Sequence, residues 1–186
     1  GADPRKIVMV DSRGILNRRR DDVKNDPKKL KMSQITNGED REGGVAEAMK
    51  DTDVCIAMST SVPGTIKKEW VSSMQNDAVV FACANPLPEI WPWDASKAGA
   101  RIMGTGRSDF PNQLNNSLGF PGIFRGVLDV RASKITDEMC LAAAFELAKV
   151  AEDKGLSETY IIPSMVEWEV YIREAVVVGL KAIEQG

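Results

Sequence analysis

The chain contains no histidine. That removes every His-dependent catalytic triad and every His-ligated metal site from its own residues. Cysteine is scarce as well: Cys55, Cys83 and Cys140 are odd in number, widely spaced, and form no CxxC pair. They read as buried thiols of a cytoplasmic protein, not as a disulfide framework or a zinc site. There is no basic excess either. Lys and Arg number 24 against 27 Asp and Glu, a formal net charge of −3, which lacks the footprint of a nucleic-acid binder. The one basic run, Arg18-Arg19-Arg20, runs straight into Asp21-Asp22; it suits a solvated turn or helix start, with phosphate binding as the alternative. No apolar stretch reaches the ~20 residues of a membrane helix, and the opening GADPRK has no signal-peptide shape. What is present, 186 residues with 43% apolar and 27% charged content, suits one globular domain with a single core.

Short β-branched runs alternate with helical patterns. Lys6 to Val10, Asp53 to Met58, Ala78 to Ala84 and Arg101 to Met103 each read as a strand buried on both faces. Residues 13–44 are polar, with Asn25-Asp26-Pro27 and Asn37-Gly38 as breakers, and predict a short helix in a poorly ordered excursion. Thr65 is placed to cap a helix bearing Ile66, Trp70, Val71 and Met74. After Pro111 a helical stretch extends to Ala132, interrupted at Gly119-Phe120-Pro121-Gly122. Thr136 is expected to cap a further helix that ends at Lys154-Gly155, and a last helix covers 166–183. This order implies right-handed parallel crossovers and an α/β, doubly wound, Rossmann-like parallel sheet. The helices of 133–186 are expected to pack on it as a C-terminal layer.

In such sheets, ligands bind beyond the carboxyl ends of the strands. Asp11, the Ser59–Gly64 loop with Ser59 and Thr60, Asn85-Pro86 and Gly104-Thr105-Gly106 lie there. An acidic residue closing the second strand of a dinucleotide-binding unit bonds the adenosine ribose about 20 residues after a glycine motif. Counting back from Asp11 passes the first residue, so the first strand and the glycine motif are expected upstream. A strand-to-turn cap is the alternative role for Asp11. Asn85 is an amide that donates and accepts, suiting a nicotinamide carboxamide or a substrate carboxylate; a turn Asn bonding its own backbone is the plainer alternative. Asn112, Gln113, Asn115 and Asn116 crowd one short run, and at most one or two of them can face a single site. Asp109 beside Arg107 reads as an ion pair. Trp91 and Trp93 read as cover for a sheet edge or a subunit contact. No nucleophile–base pair or carboxylate cluster emerges.

VVFACANPLPEI, followed by AGARIMGTGRSDFPNQLNNSLGFPGIFRGVLDVRASKIT, strongly resembles the C-terminal NAD(P)-binding domain of small bacterial-type malic enzymes. The resemblance runs from about Lys6 to Ala151, is weaker over 13–44 and fades after Gly155. It implies that the whole of 1–186 is this domain, from an enzyme that oxidatively decarboxylates L-malate to pyruvate and CO₂, reducing NAD or NADP with Mg²⁺ or Mn²⁺. Asn85 then matches the Asn lining the nicotinamide pocket. Asn116 matches the Asn near the nicotinamide and the substrate carboxylate, Asp11 the ribose position, and the Ser59-Thr60 loop a passage for the cofactor. The family's acid–base Tyr and Lys and its metal carboxylates belong to a preceding catalytic domain, so no catalytic or metal residue is assigned here and the chain alone is expected to be inactive. Asp11 favours NAD by repelling a 2′-phosphate, while Arg13 could accommodate one. A homodimer or higher homo-oligomer is expected. Ser164 to Trp168 departs from the family pattern, leaving that segment without an assigned role. The alternatives are another two-domain small-acid dehydrogenase and a non-catalytic nucleotide-sensing module.

Overall fold

A computed structural model describes residues 2–186. After a single 3₁₀ turn at Pro4–Lys6, the chain makes a minimal antiparallel hairpin, β1 (Val10–Asp11) and β2 (Gly14–Ile15). The expected buried strand at Lys6 to Val10 is therefore not part of the parallel sheet: Ile7 and Met9 are exposed. A β-branched run forms a buried strand only where a neighbouring strand can satisfy its backbone groups. Here the Leu16 amide donates to Met9 O (2.8 Å) and the Asn37 amide to Ile7 O (2.8 Å).

Residues 13–44 are also better knit than their polarity suggests. A 3₁₀ segment, Asp21–Asn25, leads into α1 (Pro27–Ile35). The Asn25-Asp26-Pro27 breaker is the start of that helix: Asp26 accepts from the Lys28 and Lys29 amides at 2.9 and 3.2 Å, and Pro27 takes the first turn, where its missing N–H costs nothing. Asn37 is buried at φ 52°. Its amide donates to Leu16 O and Arg41 O and accepts from the Arg41 N–H, at 3.3, 2.9 and 2.8 Å. Ile15, Leu16 and Val23 are buried in the same region.

The main sheet follows α2 (Val45–Met49) and consists of β3 (Val54–Ala57), β4 (Val79–Ala82) and β5 (Ile102–Thr105), parallel and in that order. Ala57 pairs with Ala82 and Ala82 with Thr105, so the three carboxyl ends finish level. Their loops leave side by side, which is what builds a rim. Two short crossover helices, α3 (Lys68–Val71) and α4 (Pro92–Lys97), cover one face. Val80, Ala82, Ile66, Val71, Ile90 and Ala95 form the core beneath them. Thr65 does not cap α3; its hydroxyl donates to Val62 O at 2.7 Å within the preceding turn. β3 and β5 are the two edge strands, and Val54 and Ile56, two residues apart on one face of β3, are exposed where burial on both faces was expected.

Three helices complete the chain: α5 (Phe120–Asp129), α6 (Asp137–Lys154) and α7 (Glu169–Gln185). Pro121 sits in the first turn of α5, so the Gly119–Gly122 stretch starts the helix instead of interrupting one. Thr136 caps α6 as expected, accepting from the Met139 amide at 3.2 Å. This layer has a core of its own, made of Val127, Met139, Ala143, Val178 and Ala182. α5 and α7 approach closely through glycine. A Cβ on Gly126 would lie 2.5 Å from Ala175 O, which no side chain tolerates. Asn112 ties the layer to the sheet: its amide donates to Met103 O (3.0 Å) and Glu158 O (2.8 Å) and accepts from the Ile161 N–H (3.0 Å).

Candidate cofactor site

The β3 and β4 loops are stitched into one rim. The Ser61 hydroxyl accepts from the Leu87 amide at 2.9 Å and donates to Leu87 O at 3.0 Å. Glu89, fully buried, accepts from Ser59 N (2.6 Å), Ser59 Oγ (3.1 Å) and Ala84 N (3.1 Å). Its backbone oxygen accepts from the Gly64 and Ile66 amides at 2.8 and 3.1 Å. Arg107 holds the β5 loop to the same rim: it donates to Pro86 O at 3.1 Å and pairs with Asp109 at 2.8 and 2.7 Å. The Arg107–Asp109 ion pair expected from the sequence is thus present. Trp91 and Trp93 stack on each other, centroids 4.8 Å apart, with Phe110 against both and Arg107 over Trp91.

This scaffold separates the expected site residues. Asn85 is exposed near the start of the β4 loop, and its side-chain amide has no hydrogen-bond partner among the described residues. The same holds for Asn116, which follows the β5 loop. Their neighbours are spent on structure: Asn115 donates to Gly106 O (3.0 Å) and accepts from the Ser117 N–H (3.0 Å), and Asn112 is the inter-layer tie described above. Of the crowded amides, Asn116 alone among the asparagines keeps a free one. Ser59 and Thr60 are exposed on the rim, with Ser59 anchored through Glu89.

Asp11 lies apart, in the hairpin. Arg20 grips it with two prongs, Nη1 to Oδ1 at 2.8 Å and Nη2 to Oδ2 at 3.1 Å, while Lys29 reaches Oδ2 at 2.6 Å and the Arg13 amide donates to Oδ1 at 2.9 Å. The Arg20 guanidinium above all holds the Asp11 carboxyl well below the usual carboxylate range. A carboxylate has about four acceptor sites, and each is already engaged. Arg20 also pairs with Asp22 and donates to Gly14 O, so the last member of the arginine triplet is a half-buried staple and not a solvated turn residue. Burial pushes the Cys55 thiol up to about 11, with Glu89 and Cys83 adding to the effect, and raises Cys83 too. Cys55 and Cys83 are half-buried and Cys140 is exposed, against the reading of all three as buried.

Glu89 and Arg20 escaped the sequence reading. Glu89 left one trace, a lone acid in the apolar, proline-rich NPLPEI. Nothing in the local sequence separates Arg20 from Arg18 and Arg19.

A family model described as "Malic enzyme, NAD binding domain" matches residues 2–182. The chain belongs to the malic enzyme family. A bifunctional malic/malolactic enzyme of Bacillus subtilis is 46% identical over 98% of this chain and 44% of its own length. An NAD-dependent malic enzyme of Geobacillus stearothermophilus is 45% identical over 95% of this chain and 36% of its own length. More distant relatives are named NADP-dependent malic enzymes. The crystal structure of Entamoeba histolytica malic enzyme superposes on all of this chain with a TM-score of 0.96 and 49% identity, and the match spans 39% of that chain. The chain therefore spans less than half the length of these malic enzymes. The Rossmann-like α/β assignment holds, with a three-stranded parallel sheet in place of the four strands expected.

Proposed function

We propose that this chain is the cofactor-holding part of an enzyme that converts L-malate to pyruvate and CO₂ while reducing NAD(P). The observation that carries the proposal is the pair of exposed amides, Asn85 and Asn116, without a side-chain partner among the described residues, on a rim where Ser59, Ser61, Glu89, Arg107 and Asn115 are committed to structure. An amide donates and accepts at once, so Asn85 matches the carboxamide of a nicotinamide and Asn116 can bond the nicotinamide or a substrate carboxylate. Both are neutral. They orient their partners without opposing the charge that leaves with the hydride. The dinucleotide, when bound, accepts the hydride from malate C2.

Ser59 and Thr60 line the passage between the nicotinamide end and the adenosine end, where Asp11 stands. With Arg20 and Lys29 on Asp11, the expected repulsion of a 2′-phosphate is offset, so the site admits NAD and NADP alike. A ribose hydroxyl would take the place of one of Asp11's present donors, the half-exposed Lys29 being the easiest to displace. The divalent metal and the acid–base groups are assigned to the part of the enzyme beyond this chain.

The test is malate-dependent reduction of NAD and of NADP by the full-length enzyme with Mn²⁺, followed by the absorbance of the reduced dinucleotide. Saturable turnover with at least one of them is expected. Dinucleotide binding without turnover would replace this reading with that of a nucleotide-sensing module.

A further inference from the structure

We propose that Glu89 is the positioning residue of the dinucleotide site, setting the two loops that present Ser59 and Asn85; this rests on the cofactor-holding role proposed above. The carboxylate is completely buried, and no Lys or Arg of the described residues pairs with it. A buried charge without a cation persists only if hydrogen bonds replace the lost water. Three donors do so, and they come from two separate loops: Ser59 N and Oγ on one oxygen, Ala84 N on the other. Ser59 is the second residue of the β3 loop, and Ala84 directly precedes Asn85. Through its backbone oxygen the same residue bonds Gly64 and Ile66, closing the far end of the β3 loop. One residue thus sets the spacing between the hydroxyl and the amide that line the rim.

A core-filling role would not require an acid. The three donors need an acceptor-only group with two oxygens. Glutamine has the shape but must turn its NH₂ toward either Ala84 N–H or Ser59 N–H, so one loop is repelled where it was held. The loss of one hydrogen bond to a charged group corresponds to roughly tenfold or more in an equilibrium constant. Glu89→Gln in the full-length enzyme is therefore expected to raise the dissociation constant and KM for the dinucleotide at least ~10-fold, with a much smaller change in KM for malate. Val80→Ala is the control, since Val80 is buried in β4 of the same core and makes no polar contact with either loop.

Both variants should lose thermal stability, but only Glu89→Gln should weaken the dinucleotide. Equal weakening in both, or an unchanged dissociation constant in Glu89→Gln, overturns the proposal. Should Glu89→Gln not fold, Glu89→Asp carries the same expectation, because it keeps the charge but is one methylene too short to bridge both loops. Direct titration of the dinucleotide keeps the two ideas apart. A wild-type enzyme that binds dinucleotide without turning over malate sinks the malate reading alone, whereas one that binds none sinks both.

Discussion

Arg20 closes on Asp11 with both prongs of its guanidinium, at 2.8 and 3.1 Å, and the side chains are only 13% and 16% exposed. Two-pronged pairs of this kind are among the stronger ion pairs, and breaking this one leaves the half-buried Asp11 with only Lys29 and the Arg13 amide. Arg20→Gln is expected to cost about 2–3 kcal/mol at neutral pH, read from urea denaturation. The pH dependence has a definite sign. Asp11 is held below its ordinary 3.8, so its contribution is complete above that pH and disappears as pH falls through the lower folded value. The stability gap between wild type and variant should narrow on acidification below pH 3.8. A gap that stays constant there would contradict the pairing.

Glu174 presents the opposite case. It lies fully buried on the side of α7 that faces α5, and neither carboxyl oxygen has a partner among the described residues. A Cβ on Gly122 of α5 would touch it at 2.5 Å; Gly119 lies near its tip. Tyr171 lies one turn away on its own helix, and Glu146 of α6, itself paired with Arg173, adds like-charge repulsion. Burial, and secondly Glu146, push its carboxyl from 4.5 up to about 8. The folded state therefore holds a proton that the unfolded chain releases, so the contribution of Glu174 is fully present below pH 4.5 and is lost as pH rises to about 8. Glu174→Gln should flatten that decline. Above pH 8 the variant should be the more stable protein, by on the order of a few kcal/mol. Parallel stability curves for the two proteins from acid to alkaline pH would refute the assignment.

Asn116 and Asn115 offer a matched pair. Asn116→Ala removes an exposed amide with no partner, so stability should stay within about 0.5 kcal/mol. Malate turnover by the full-length enzyme should nevertheless fall roughly 10²-fold, the cost of a misplaced reactant. Asn115→Ala cuts the bonds to Gly106 O and the Ser117 amide, and should lower the melting temperature as well. Full activity in Asn116→Ala, measured alongside its melting temperature, would remove it from the site.

Much of the architecture was legible in the chain. The parallel strands at 54–57, 79–82 and 102–105 show as short, mostly apolar runs bounded by polar turns, because each buries at least one face of the sheet and β4, between two neighbours, is apolar along its length. Thr136 and Gly155 mark the ends of α6 through local chemistry. Lys6 to Val10 misleads for the same reason that these succeed: the run has strand composition, but composition cannot say whether a neighbouring strand lies beside it. Pro121 misleads because a proline that breaks a helix and one that begins it look alike until the hydrogen bonds around it are known.

The sequence alone determined the fold class, the family and the position of the amides along the rim, since each rests on short-range pattern or on long contiguous motifs. The tertiary structure decided how those amides divide. Asn112, Asn115 and Asn116 differ only in what surrounds them, and burial with three bonds, part-burial with two, or exposure with none separates scaffold from site. It also decided that Glu89, not any residue of the expected set, joins the loops after β3 and β4. That junction spans thirty residues of chain, and hydrogen bonding at such separation depends on how the strands align, not on the residues next to it.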